Sequence, residues 1–395
     1  MMPLGARLME SFGISPAQFT WLVASYGLAA AVAGFAGGFV LDRFDRKRAL
    51  LWLFAGFGLA TLGCAMAPSF ATLLLARFVA GGFGGVAGSV VTAMIGDVIP
   101  PERRGRATAT VMTAFPLASV LGVPTGLLLA GWFSWHAPFF LLAGLSALVW
   151  PVAARVLPHV RSHRSEEHPI RQMAQLLAAP VHQRALLLGC MLVFAGGLVL
   201  PFMAPSLELN VGVPEAHISL VYMAGGACTF FTMPWMGRLS DRYDKLHVLA
   251  GTTLVAAATV LIVTHLRGIP LPVVLVATTL FFVGMSARFA PAMAMITNAV
   301  DARYRGGFMS VNSAMQQAAS GGANLLAGFL ITTNAQGQLV GYPRVGFISL
   351  AAFALTLWLG ARLRAIAPHA ARNLPVIERS PGAAANVAVP RSRTR

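Results

Sequence analysis

The chain is poor in charge, in acids and in cysteine. Only 11% of its 395 residues are charged, and 13 acids stand against 29 lysines and arginines. No Asp or Glu lies well inside any long apolar run, so no carboxylate is placed where a lipid-buried acid would titrate. The three cysteines, Cys64, Cys190 and Cys228, have neither metal-ligand nor CxxC spacing. That excludes a thiolate metal site and leaves them as small packing residues. A Walker sequence, a catalytic triad and a metal-ligand set are also missing. Enzymatic chemistry, ATP-driven work by this chain alone and a bound cofactor are therefore not expected. No signal peptide with a small-residue cleavage site precedes the first apolar run.

What the chain does have is hydrophobic length. It is 57% hydrophobic, with a mean hydropathy of +0.71, more apolar surface than a soluble fold of this size buries. A helix needs roughly 20 apolar residues to cross a hydrocarbon layer about 30 Å thick. Eleven runs qualify: Ala17 to Leu41, Ala49 to Met66, Leu73 to Gly96, Ala107 to Trp132, Ala137 to Val156, Ala185 to Ala204, Ile218 to Gly237, Val248 to Leu266, Leu271 to Val300, Phe308 to Thr332 and Val345 to Ala361. They are too continuous for barrel strands, which alternate. The expected fold is all-α integral membrane with eleven visible transmembrane helices.

The net charge of +16 reports orientation rather than nucleic acid. Threading the runs puts 23 of the 29 basic residues in alternate loops and the tail, three in the opposite loops (Arg7, Arg267, Arg344) and three inside runs, of which Arg155 is at the very end of its run and Arg77 and Arg288 lie within theirs. By the positive-inside rule the rich side, with the C-terminus, is cytoplasmic. Trp21, Trp52, Trp132, Trp135, Trp150, Trp235 and Trp358 all fall near run ends, as an interfacial belt requires.

The chain contains the same half twice. Asp42-Arg43-Phe44-Asp45-Arg46 returns 199 residues later as Asp241-Arg242-Tyr243-Asp244-Lys245, and Gly13, Ile14 and Ala17 match Gly212, Val213 and Ala216. A bundle at 1–156, a cytoplasmic linker at 157–184, a second bundle at 185–363 and a disordered proline- and arginine-bearing tail at 364–395 follow from this spacing and composition. Two bundles with weak internal symmetry are the build of many secondary transporters.

The doubled loop resembles the signature loop of the major facilitator superfamily. Gly38, Asp42, Arg43, Arg46 and Lys47 match its pattern, and Gly237, Asp241, Arg242 and Lys245 repeat it. Asp45 and Asp244 replace the usual glycine, a position where Asp tolerates left-handed backbone. Arg77 to Gly81 resembles the fourth-helix motif of the drug and small-solute efflux branch, with Ala80 for the customary Gln. Gly122, Pro124 and Gly126 resemble the fifth-helix antiporter motif of the arabinose-efflux-like permeases, and Met285 to Gly306 reads like that subgroup. The resemblance implies a major facilitator fold of two pseudo-symmetric bundles. It also implies a monomer in a bacterial inner membrane that exports drug-like amphipaths or sugars, in exchange for protons, by alternating access.

Each motif also has a reading from its own residues. Arg46 or Lys47 is expected to pair with a carboxylate, Asp97 being the nearest candidate, and so to latch one state; the alternative is a topology signal within a solvated charge cluster. Arg77 lies four residues into its run and either serves the transport path or snorkels to the interface. Arg288 lies about 18 Å from Val300 at roughly 1.5 Å per residue. It must meet a partner or a polar cavity, there to bind an anionic or carbonyl-bearing substrate or to form a buried pair. Asn312, Gln316, Ser320 and Asn324 form a stripe that lines a path or glues a seam, the seam being favoured. Gly81, Gly82, Gly84, Gly85 and Gly88, with Gly122 and Gly126, are expected to let helices approach closely.

Used as a ruler, the repeat places the counterpart of Ala185 to Ala204 at positions −14 to 5. The first bundle is therefore one helix short, with Met2 to Gly5 as the expected tail of that helix. A misassigned start is favoured over a trimmed chain or a natural eleven-span variant. In efflux relatives the absent helix often bears the coupling acid. The competing readings are an uncoupled or uptake facilitator and a truncated, non-transporting membrane paralogue.

Overall fold

The computed structural model describes residues 1–40, 44–100, 103, 107, 110–111, 114–159, 178–300 and 305–371. The linker core at 160–177 and the tail from 372 lie outside them, as do Asp42 and Arg43. The described chain is almost wholly helical, and its one sheet is the two-residue pairing of Thr332–Thr333 with Leu339–Val340.

In the first half the helices are α1 (Gly5–Phe12), α2 (Pro16–Val40), α3 (Arg46–Ala65), α4 (Phe70–Val98), α5 (Val123–Trp132) and α6 (Ala137–Val156). The second half holds α7 (Pro180–Ser206), α8 (Glu215–Arg242), α9 (Lys245–His265), α10 (Leu271–Ala287), α11 (Phe289–Asn298), α12 (Arg305–Leu330), α13 (Tyr342–Ile366) and the short α14 (Pro368–Ala371). Among the described residues nine helical stretches are long and apolar enough to cross a membrane, with α10 and α11 forming one of them.

Two of the eleven expected runs fall short of that measure. The run containing α5 is not one regular helix, because Ala118–Gly122 forms a wide turn in which the Val123 amide donates to the Ala118 carbonyl. Pro124 has no amide hydrogen for the Val120 carbonyl and its ring crowds that oxygen, so the backbone widens just before it. Helix α12 is long enough, but its polar stripe dilutes it.

The sequence repeat is a structural repeat. Gly13 and Gly212 end their helices in the left-handed region, with φ of 60° and 82°, where glycine has no Cβ penalty. Asp45 and Asp244 begin α3 and α9 with φ, ψ of −60°, 124° and −59°, 123°. Their side chains accept from the amides of Arg48 and Leu246, each at 2.9 Å. At these positions, where the family pattern has glycine, the backbone is thus extended rather than left-handed, and both aspartates are N-caps, the position where Asp is favoured because its carboxylate satisfies an orphan amide. The segment expected as a helix tail is a 3-10 turn, Met2–Leu4, leading directly into amphipathic α1.

Two sequence assignments of location change. Trp135 is 7% exposed, stacked on His136 and edge-on to Phe12, so it belongs to the core, while the other six tryptophans are exposed. Cys64 and Cys190 are buried, but Cys228 is exposed and packs no interior.

Candidate functional site

The halves meet along two seams. On one, α2 lies against α12, with Gly27 facing the Gln317 carbonyl, Gly321 facing Leu28 and Gly328 against Thr20. On the other, α8 crosses the wide turn ahead of α5, where a Cβ on Gly226 would stand 3.1 Å from Ser119. The α5 residues singled out by sequence do not make this crossing. Gly122 has only Ala118 of its own helix near its Cβ position and Gly126 only Pro138 at 3.7 Å, so neither permits the close approach expected of it. Pro124 is buried and shapes the turn instead.

In the glycine run of α4 the expectation of close approach holds at two positions. A Cβ on Gly81 or Gly85 would enter the α2 backbone at Tyr26 or Ala30. Gly84 faces the Tyr26 hydroxyl, Gly82 is in ordinary contact with Ala33, and Gly88 has open space where its Cβ would be.

At the end of the bundle opposite the doubled loops, the halves are clasped. Arg7 donates through Nη2 to Glu215 Oε2 at 2.8 Å, forms a second contact through Nε, and donates through Nη1 to the Ala130 carbonyl. One guanidinium thus joins α1, α5 and α8. Phe19 packs edge-on to Phe202 beside it, 6.0 Å between centroids. Sequence reasoning passed over Arg7 and Glu215, although Arg7 is one of only three cations in the cation-poor loops.

At the loop end, the described ion pairs each stay within one half. Arg46 Nε lies 3.2 Å from Asp97 Oδ2, joining α3 to α4. Asp45 lies 3.5 Å from His159, just beyond α6, and Asp244 lies 3.2 Å from Arg364 near the end of α13. The last two are the same contact in the two halves, each running from the N-cap aspartate to the end of that half's last long helix. Burial pushes the Asp45 carboxyl up, but the Arg48 amide and the His159 ring outweigh it and hold the group below its ordinary range. Lys245 is buried, Arg242 lies over the Tyr243 ring at 5.8 Å, and Asp241, Lys47 and Gly237 complete the loop surface. Gly38 falls in the last turn of α2.

The two intramembrane arginines both turn inward. Arg77 does not snorkel: its Nε donates to the Leu22 carbonyl at 3.3 Å and its guanidinium lies 4.8 Å from the Tyr26 ring centroid, both on α2. Arg288 stands at the single-residue break between α10 and α11, 0% exposed. Its Nη2 donates to the Leu192 carbonyl at 3.4 Å and approaches the Met285 sulfur at 3.3 Å, with the Phe353 ring 4.5 Å away. Its Nε and Nη1 have no hydrogen-bond partner among the described residues.

The first part of the polar stripe turns away from the seam. Asn312 and Gln316 meet α7 at Gly189, and Ser320 meets it at Gly197, all within the second half. The seam face of α12 carries Gln317, Gly321 and Gly328. Asn312 and Asn324 are buried, and the Oδ1 of each has no partner. The seam expected for the stripe is therefore not met at Asn312 and Gln316, one position round the helix from Gln317, whereas Asn324 shares helical spacing with the seam residues Gly321 and Gly328.

The sequence pattern of the Major Facilitator Superfamily matches residues 1–197 and 185–392. An uncharacterized MFS-type transporter of Bacillus subtilis, YceJ, is 26% identical over 350 residues, 88% of each chain. A chloramphenicol resistance protein of Streptomyces lividans is 29% identical over 304 residues, 74% of this chain and 72% of its own. Among solved structures, the nucleoside transporter NupG superposes with a TM-score of 0.71 at 14% identity, covering 92% of this chain and 94% of NupG. A D-xylose-proton symporter gives 0.70 at 16% identity, covering 88% and 87%. At such identities these two likenesses concern the fold.

Proposed function

Because the chain belongs to the Major Facilitator Superfamily, we propose that this membrane transporter exports small molecules, drug-like amphipaths or sugars, by alternating access with proton antiport. The observation that carries the reading is the clasp across the halves at the end opposite the doubled loops, while the ion pairs found among the described residues at the loop end tie helices within each half. Two bodies, 1–156 and 185–363, held in this way can rock about the α2–α12 and α5–α8 seams. The excess of Lys and Arg around the doubled loops makes that end cytoplasmic, with the C-terminus, in a bacterial inner membrane. The clasped end is then external, and the clasp suits closure on that side. Arg46 and Asp97 act as part of a cytoplasmic latch, and Arg77, Arg288, Asn312 and Gln316 are the substrate and coupling candidates. The working unit is a monomer in lipid, with a small-molecule substrate and protons as its partners. Export is supported by the likeness to a chloramphenicol resistance protein.

Resistance profiling in a strain lacking its own pumps, followed by a pH-sensitive dye in everted vesicles, tests this. Expression should raise tolerance to at least one compound about fourfold or more, and adding that compound should discharge the proton gradient. Unchanged tolerance across the panel would contradict export. A second reading, an uncoupled facilitator, is favoured by the lack of Asp or Glu within the apolar runs, and it predicts transport with no pH change.

A further inference from the structure

We propose that Arg288 binds the carboxylate of a transported organic anion. This rests on the transport reading above and narrows its substrate class. A guanidinium stays protonated under all ordinary conditions, and a buried cation without a counter-charge is among the most unfavourable features a fold can carry. Arg288 is fully buried at the junction of α10 and α11. Its protein contacts are a carbonyl, a thioether and an aromatic face, which offer partial negative charge and no neutralisation. Two of its three nitrogens find no hydrogen-bond partner among the described residues.

The chain cannot easily supply the missing charge. No Asp or Glu lies within any of the apolar runs, and on this span the next acid is Asp301, beyond the run's end. The counter-charge must then come from a ligand. Its surroundings suit an acid with an apolar body: Met285 and Phe353 flank the guanidinium. Asn312 reaches Gly189, one turn along α7 from Leu192, with its own Oδ1 buried and unpaired, so unsatisfied polar groups from two elements converge on one stretch of α7. A departing anion is also driven outward by an inside-negative potential, which suits a chain whose spans hold no titratable acid.

The test uses the purified full chain and matched probes, benzoate against benzamide and 2-naphthoate against 2-naphthamide, read by thermal unfolding and equilibrium binding at constant ionic strength. Each acid should bind at least tenfold tighter than its amide. Arg288→Gln should abolish that preference, Arg288→Lys should keep part of it, and the exposed-loop control Arg267→Gln should keep all of it. If Arg288→Gln does not fold, the proposal stands on Arg288→Lys binding the acids at least threefold more weakly than wild type. Equal affinity for acid and amide, no binding of either at millimolar concentration, or a preference that survives Arg288→Gln would overturn it. So would chloride alone reproducing the whole stabilisation, since the occupant would then be an inorganic anion. Export of neutral compounds without an acid preference would overturn the substrate class and leave the transport reading intact. Arg288-dependent acid binding by a chain that exports nothing would uphold the site and sink the transport reading instead.

Discussion

In the second half α7 runs through the centre with 72% of its most apolar window buried, and its neighbours bury 39% to 44%. In the first half α2 reaches 56%, but α3, α4 and α6 stay between 22% and 24%. The halves share the same caps and the same loop contacts yet are held together differently. Around α7, three carbonyls on one face take side chains from other helices: Leu192 from Arg288, Ala195 from Ser349 at 2.8 Å and Val199 from Tyr342 at 3.0 Å. At the end of that span, Ala204–Val211 corresponds to α1, Gly5–Phe12, at the 199-residue offset. The first half relies instead on close backbone crossings of α2 and α4 at Gly81 and Gly85. Similar loops thus sit on two packing solutions, one built on side-chain ties to a central helix and one on glycine.

That difference is open to attack from both sides. The largest effect is expected at Gly81→Leu, where a side chain would enter the Tyr26 backbone; overpacking costs about 3 kcal/mol or more and should remove the chain from the membrane fraction on immunoblots. Gly122→Leu, with open space around it, should express normally. Next come the caps: Asp45→Ala and Asp244→Ala should each cost about 1 kcal/mol and lower the melting temperature in detergent by similar amounts, since the two backbones coincide and each carboxylate holds one amide, that of Arg48 or of Leu246. Unequal losses would break the symmetry. Because Asp45 titrates below its ordinary value of 3.8, its contribution is fully present at neutral and mildly acidic pH. It disappears only as the pH falls below that ordinary value, and a melting series against pH should show this.

Tyr342→Phe should cost about 0.6 kcal/mol, a usual size for a hydrogen bond between membrane helices, and Ser349→Ala about the same. The smallest stability change is expected at Arg7→Gln, roughly 0.5 kcal/mol, because both partners are about one-third exposed and solvent screens the pair. Its signature is conformational: a cysteine placed near Phe202 should react faster with a membrane-impermeant maleimide.

Much of this was legible before the coordinates. A period of 199 residues needs only identity to be read, and it marked Gly13 with Gly212 and Asp45 with Asp244 as equivalent positions, while the pairing of Arg46 with Asp97 was expected from the loop motif and the position of Asp97 at a helix end. What resisted was contact identity. Arg7 and Glu215 lie 208 residues apart, and no local pattern pairs them. Asp45 looked like a replaced glycine because a motif gives residue types and not dihedral angles. The stripe on α12 was visible from its four-residue spacing, but its facing depends on a rotation of about 100° between adjacent residues, which only packing fixes.

The most direct test of the rocking account is a lock across the α2–α12 seam. In a chain whose Cys64, Cys190 and Cys228 are replaced by serine, Thr20→Cys and Gly328→Cys face each other across that seam with Cβ atoms 2.9 Å apart, so the helices need part by only about 1 Å to reach the roughly 3.8 Å of a disulfide. Oxidation should stop transport at least tenfold and reductant should restore it. Transport at the same rate in the oxidised, cross-linked protein as in the reduced one would contradict movement of the two halves about that seam.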